Sequence, residues 1–304
     1  MTSILDRPLK WRTISTLGWR RRIANGVATV LVTLSMGIAL TPLVWVLCSV
    51  FVNGFKALTS SVWWTHSQAG TTALEPAGGA YHAIVGTVLL GLACAAISIP
   101  IGVMVGIYLA EYGGSGPLAR LVTFTVDILA GVPSIVAALF IYAVWVSALG
   151  LPRSQFAVSL ALVLLMLPVI ARATEEMLRI VPVDLREASY ALGIPKWKTI
   201  ARVVLPTGMS GILTGILLAF ARVLGETSPL LILVGYSNSM NFDMFCGFMG
   251  SLPGMMYDQT TVGAGTDPVP TARLWGAALT LILLIAMINI GARVVARIFA
   301  PEKT

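Results

Sequence analysis

The stretch "DLREASYALGIPKWKTIARVVLP", Asp184 to Pro206, is a charged island between two long apolar runs. A polar helical segment held at both ends can be a solvated loop, a nucleic-acid-reading helix–turn–helix, or an element that grips another protein. Asp184 is placed to cap a helix, with Glu187 three residues on able to reach back, as in a capping box with Asp for Ser or Thr. Leu185, Ala188 and Leu192 then share a face. Gly193 falls at the turn, where positive φ is tolerated without a Cβ penalty. Pro195 suits the first turn of a second helix. There Trp197, Ile200, Ala201 and Val204 share one face, while Lys196, Lys198 and Arg202 point elsewhere. On these grounds alone Glu187 can be only a cap, Gly193 only a turn, and the basic residues only markers of orientation.

Composition removes the water-soluble readings. The 304 residues are 57% hydrophobic and 11% charged, with a mean hydropathy of +0.88. A soluble domain carries about a quarter charged residues, so the chain reads as an all-α integral membrane protein. The net charge of +7 reflects basic residues at the ends of apolar runs, which reads as topology rather than nucleic-acid binding. Cys48, Cys94 and Cys246 are odd in number, and two lie inside apolar runs, so they imply no disulfide framework. No Cys/His cluster suggests a metal.

Crossing the hydrocarbon core takes about 20 apolar residues. Six segments qualify: 24–52, 82–111, 119–148, 156–179, 207–235 and 274–299. The first follows Arg20, Arg21 and Arg22 and is too long for a signal-peptide core of about 7–15 residues, so it reads as a retained helix. Placing the N-terminus inside puts Arg7, Lys10, Arg12, the Arg20–Arg22 cluster, Arg120, Arg179, Arg186, Lys196, Lys198, Arg202, Arg293, Arg297 and Lys303 on the cytoplasmic side. Only Lys56, Arg153 and Arg273 then face out. The positive-inside rule selects this orientation, with a cytoplasmic tail over 1–23, a cytoplasmic loop over 184–206 and a cytoplasmic C-terminus over 300–304. A nucleic-acid role for the 184–206 loop is disfavoured, because both its ends are tied to the membrane.

Two outer loops are long. Trp63 and Trp64 in the first suit an interfacial anchor. In the second, Met240, Met244, Phe245, Phe248, Met249 and Leu252 recur at helical spacing, which predicts a short amphipathic helix lying on the membrane, on a partner or on the bundle. Gly102/Gly106 and Gly208/Gly211/Gly215 have the spacing that lets membrane helices approach closely.

Charges inside spans cost about 2.5–3.5 kcal/mol each at the centre on insertion scales, so each asks for a reason. Arg172 lies three and four residues before Glu175 and Glu176 and can pair with either on a helix; near the cytoplasmic end it can also snorkel. Arg222 lies about 16 residues beyond Pro206, about 24 Å of helix, too deep to snorkel inward. Glu226 follows it by one turn, so a transport role and a structural ion pair are both open. Asp127 precedes Gly131 and Pro133, which predict a kink or break in the helix. It can line a cavity or cap freed N–H groups. Arginine binds oxyanions through its planar fork, and a neighbouring Glu weakens trapping and can accept a hydrogen bond from protonated phosphate.

The spacing Glu187-Ala188-Ser189, three residues, Gly193, nine residues, Val203-Val204-Leu205-Pro206 resembles the EAA loop of ATP-binding-cassette importer permeases. The family has Ala where Ser189 stands and Ile where Val203 stands. The resemblance implies a six-helix permease bundle with both termini inside. In it Glu187, Ala188, Gly193, Leu205 and Pro206 belong to a coupling loop that docks in a cleft of a cytoplasmic ATPase. The chain has no G-x-x-x-x-G-K-[ST] sequence, so ATP and Mg²⁺ are expected on the partner ATPase and no cofactor on this chain.

"GGAYHAIVGT" (Gly78–Thr87), "GIYLAEYG" (Gly106–Gly113), "ILAGVPSIVAALF" (Ile128–Phe140) and "LGETSPLLILVG" (Leu224–Gly235) look like the phosphate-importer permeases of this superfamily, more like their A-type subunit. This resemblance implies a bacterial cytoplasmic membrane, a homologous second permease, an ATPase dimer, an extracytoplasmic phosphate-binding protein, and charges of the fourth and fifth spans on the phosphate path. Arg172, Glu175 and Arg222 match that implication; Glu226 and Asp127 join them as candidates. Other readings are a sulfate or molybdate permease and a gradient-driven transporter, which inverted repeats would favour and none is found. An enzyme finds no support, since His66 and His82 sit in or beside the first outer loop with no nucleophile–base arrangement.

Overall fold

The computed structural model describes residues 18–72 and 74–299, from 295 onward by backbone only. Residues 1–17 of the expected N-terminal tail, the expected C-terminus 300–304, and Arg7, Lys10, Arg12 and Lys303 lie outside the described residues, as does the side chain of Arg297. Helices make up the described chain: α1 (Trp19–Leu58), α2 (Ser61–Thr65), α3 (Tyr81–Ile107), α4 (Pro117–Gly131), α5 (Ser134–Ile141), α6 (Gln155–Ile180), α7 (Val183–Ala191), α8 (Lys196–Thr199), α9 (Leu205–Leu224), α10 (Ser228–Leu233), α11 (Leu252–Val262) and α12 (Pro268–Phe299). Short π-helical turns continue α3 through Tyr112, carry α5 on to Ala148 and join α8 to α9. The chain divides into two compact units. The described residues up to Ser49 belong to the first, which is helical from Trp19 and has exposed residues from Trp19 to Cys48.

The second unit, from Val50, is built around α3, α6 and α9. Glycine explains their close approach. A Cβ on Gly102 would stand 2.8 Å from Ile170 Cγ2, and one on Gly106 2.5 Å from Thr174 Cβ. On α9, Gly211 and Gly215 leave similar room for Met177 and Ala173. Helices surrounded by lipid gain nothing from hiding apolar surface against each other, so dispersion at such contacts drives packing. These pairs also give the register. Residues 102 and 106 lie opposite 170 and 174, so α3 and α6 run parallel. Residues 211 and 215 lie opposite 177 and 173, so α9 runs antiparallel to them.

Among the described residues, five helical segments are long and apolar enough to cross a membrane, and a sixth crossing is present only if a bent pair counts as one. That pair is α4 with α5 and its π extension, bent by 107°. The expected 119–148 run is therefore broken where Gly131 and Pro133 predict. Pro133 bars helical backbone at the residue before it, and Val132 is extended (φ −70°, ψ 126°). The expected 207–235 span is corrected at both ends. Helix is continuous from Lys196 to Leu224, because the π turn at Ile200–Val204 absorbs Pro206, whose ring would otherwise meet the carbonyl four residues back. It then ends at Gly225, and α10 starts afresh at Ser228.

The long loop expected on the outer side after the fifth span brings another correction. No helix forms from Met240 to Ser251. The Asn241 amide donates to the carbonyls of Cys246 and Phe248 at 3.0 and 3.2 Å, and Asp243 Oδ1 accepts from the Phe245 and Cys246 N–H groups at 2.8 and 3.3 Å. Such side chains compete with the helical ladder and fix a turn instead. The anchoring tryptophans also separate. Trp64 is exposed, but Trp63 is buried and donates to Thr280 Oγ1 at 2.9 Å.

Candidate functional site

At the end of α6 the chain turns into the stretch that opened the sequence reading. Asp184 does not cap. Helix α7 starts one residue earlier, with Pro182 at its N-cap and no side-chain bond, because Pro182 already ends α6 and fixes an extended entry. Gly193 does turn the chain, at φ +76°. The Gly193 N–H donates to Tyr190 O at 2.9 Å and the Ile194 N–H to Ser189 O at 3.2 Å, a complete Schellman closure. The face of Leu185, Ala188 and Leu192 is exposed, as are Glu187, Gly193 and Trp197. Glu187 has no ion pair or hydrogen-bonded partner for its side chain among the described residues. Leu205 and Pro206 are half-buried where the π turn passes into α9. The surprise is Ser189. It is buried and shares a hydrogen bond of 2.8 Å with Thr199 Oγ1 across the turn, a bond that Ala could not make.

Higher on α6 lies a charge cluster. Arg172 Nη1 donates to Glu175 Oε2 at 2.7 Å, and Arg179 Nη2 donates to the other oxygen, Glu175 Oε1, at 2.7 Å. The helical spacing of three and four residues makes both bonds available within one helix. Across the gap to α4, Arg172 Nε donates to Asp127 Oδ1 at 3.1 Å, its Nη2 bonds the same oxygen, and Nη2 also reaches Thr123 O at 3.4 Å. Asp127 therefore ties α4 to α6 instead of capping the broken backbone beyond it. The two carboxylates differ in access: the Glu175 side chain is 7% exposed and that of Asp127 58%.

Arg222 and Glu226 behave otherwise. The one-turn pair left open by their spacing does not form, since α9 ends between them at Leu224 and Glu226 belongs to the link before α10. Neither has an ion pair among the described residues, and Arg222 is exposed. The α6–α9 register sets Arg222 level with Met166, six residues from Arg172 toward the α6 N-terminus, or about 9 Å. A saturated arginine and a free one thus stand at two depths.

Two residues escaped the sequence reading. Glu111 and Arg186 are 75 residues apart in the chain, yet form a buried ion pair at 2.6 Å. The available signal was an acidic residue at the end of an apolar run, a position that asks for a partner.

Residues 102–304 match the model of a family described as binding-protein-dependent transport system inner membrane component. The chain is 55% identical to a protein of Mycobacterium leprae named phosphate transport system permease protein PstA, over 94% of this chain and 93% of that one. It is 54% identical to PstA 1 of Mycobacterium tuberculosis over 96% and 94%, and 39% identical to PstA of Yersinia pestis over 94% and 92%. Among solved structures, a chain of a bacterial ABC transporter involved in import of the acidic polysaccharide alginate superposes with a TM-score of 0.62 over 93% of this chain and 99% of that one, at 13% identity. The MetNI methionine ABC transporter gives 0.55 over 72% and 93%, at 21% identity. These two likenesses concern the fold.

Proposed function

The chain belongs to the family of binding-protein-dependent transport system inner membrane components, and we propose that it is the permease subunit of an ATP-driven importer carrying inorganic phosphate into the cytoplasm. It is a multi-pass protein of a bacterial inner membrane. One observation carries the substrate: more than half its residues are identical, over nearly its whole length, to permeases named for phosphate transport. Membership of a binding-protein-dependent family leaves the gradient-driven alternative without support. As in its relatives, the polypeptide is a transport permease and not an enzyme.

In this reading the chain pairs with a homologous second permease and with an ATPase dimer that holds ATP and Mg²⁺. It receives phosphate from an extracytoplasmic binding protein, and both its termini lie inside. The exposed surface around Glu187, Ala188 and Gly193 is where the ATPase docks, with Leu205 and Pro206 leading from it into the span. The anion first meets Arg222, whose guanidinium is free. It then competes with Asp127 for Arg172. Glu175 is buried and holds Arg172 in place, whereas Asp127 is open to solvent and on another helix, so Asp127 is the carboxylate an oxyanion can displace. Charge-assisted bonds to arginine are the strong ones, and exchange of one carboxylate for one phosphate oxygen keeps the site from becoming a trap. Glu226 beside the entry accepts a hydrogen bond from protonated phosphate.

The test is uptake of labelled phosphate at low external concentration in cells lacking the chain, restored with the native gene or with Arg222→Gln. The native chain should restore uptake and the variant should lose at least about 90% of it, as expected for removal of a charge-assisted contact worth about 1.5–3 kcal/mol. Uptake unchanged by the deletion, in cells with no other high-affinity phosphate importer, would sink the substrate assignment. Sulfate and molybdate would be tried next.

A further inference from the structure

Arg186 lies one residue before Glu187 but points the other way, into the protein. Its Nε and Nη2 donate to Glu111 Oε1 at 3.2 and 2.6 Å, its Nη1 to Val181 O at 2.7 Å, and its Nη2 also to Leu178 O at 2.8 Å. Its side chain is 15% exposed, and that of Glu111 5%. From the far side of the turn Lys196 Nζ bonds Glu111 O and lies 4.7 Å above the Tyr112 ring. The guanidinium therefore joins three elements: the π-helical end of α3, the terminal carbonyls of α6, and α7. Leu178 O also accepts from the Val181 N–H at 3.3 Å, so the side chain adds a second bond at the α6 C-terminus, where carbonyls run short of helical donors, as well as making the ion pair.

We infer that the Arg186–Glu111 pair is the strap that makes the docking loop and the anion-binding helix move as one body. The inference rests on the preceding reading that the ATPase docks on this loop. Leu178 lies between Glu175 and Arg179 on α6, so a displacement of α7 is delivered, through Arg186, to the stretch of helix that holds the charge cluster. Without the strap, the covalent link of α7 to α6 is Val181 and Pro182, and α7 is otherwise held through the Ser189–Thr199 bond to the far side of the turn. Desolvating an ion pair offsets much of its own attraction, so stability alone is a weak reason for burying one here; a fixed geometry between elements is what the pair supplies. Lysine could not replace it, because a single ammonium cannot reach acceptors on two helices in the plane that the guanidinium fork spans. Arg186 and Glu111 are positioning residues and touch neither phosphate nor nucleotide.

The experiment uses the assembled transporter in liposomes, with native chain, Glu111→Gln, Glu111→Asp or Arg186→Lys, and reads ATP hydrolysis and phosphate entry together. Glu111→Gln and Arg186→Lys should assemble with the ATPase and keep basal hydrolysis. Phosphate moved per ATP should fall about fivefold or more, the lower end of ordinary coupling between sites, and stimulation by loaded binding protein should fall with it. Glu111→Asp, which keeps the charge, should recover part of both. An unchanged ratio in Glu111→Gln and Arg186→Lys overturns the inference. Failure of both to assemble overturns it too, since the pair would then serve folding and not coupling. A native complex that hydrolyses ATP in response to loaded binding protein but moves no phosphate counts against the substrate reading and leaves the strap standing.

Discussion

Glu175 and Asp127 both bind Arg172, yet their surroundings give them different weights. Glu175 accepts from two arginines while buried, so Glu175→Gln should cost about 1.5–3 kcal/mol, the range for hydrogen bonds to charged groups. Asp127 is more than half exposed, and an exposed pair is worth less than about 1 kcal/mol, so Asp127→Asn should leave stability nearly native. Unfolding in detergent, followed for both variants at one pH, checks the order; equal losses would mean that access does not separate the two roles. Glu175→Gln and Glu226→Gln should also shift the phosphate-over-sulfate preference, measured as competition by sulfate for labelled phosphate entry. At this scale the sequence identified Arg172, Glu175, Asp127, Arg222 and Glu226 as charges needing a reason. It did not pair Asp127 with Arg172, 45 residues away, and it left open an Arg222–Glu226 pair on a helix that ends between them.

The loop proposed to dock the ATPase is the element whose behaviour is most open to a single substitution. Among the described residues beyond its chain neighbours, nothing lies within 4 Å of a Cβ added at Gly193, so the cost of a side chain there comes chiefly from the backbone at φ +76°, about 1–3 kcal/mol for a non-glycine residue. Asn tolerates that conformation better than most. Gly193→Asn and Gly193→Trp should therefore both insert and fold, while only the tryptophan blocks the cleft expected on the ATPase. Co-purification of the ATPase with each variant, alongside uptake, checks this; normal transport by Gly193→Trp would remove the coupling role of the turn. The local chemistry of this loop was legible because Gly193 and Pro195 act on their own backbone. The capping role of Asp184 was misjudged because Pro182, outside the quoted motif, sets the helix start.

Across the whole molecule, the parallel pair α3 and α6 with antiparallel α9 is the arrangement that alternate crossings produce, and the proposed orientation makes it testable. Cys246 lies in the second outer loop and is exposed, so an impermeant maleimide should label it in intact spheroplasts. In a background with Cys48→Ser and Cys246→Ser, which removes both exposed cysteines, Leu192→Cys should be labelled only after the membrane is opened. The reverse pattern would invert the topology. Cys94 is buried and should not interfere.

Hydropathy and the Gly193–Pro195 turn chemistry were enough to define an all-α membrane protein with a helix–turn–helix between two apolar runs, because each depends on the solvent or on the local backbone. Periodicity failed from Met240 to Ser251, where Asn241 and Asp243 recruit the backbone into a turn that an apolar stripe cannot disclose. The resemblance of four motifs pointed to the family, and nothing in their spacing stated which charges meet. That was left to tertiary structure. The close approach of α3 to α6 at Gly102 and Gly106, the bend of α4 against α5 and the end of α9 at Gly225 together decide that Arg172 is saturated, Arg222 free and Arg186 locked to Glu111. A charge in a sequence has a cost that can be foreseen, but its partner is fixed only when helices distant in the chain are brought into contact.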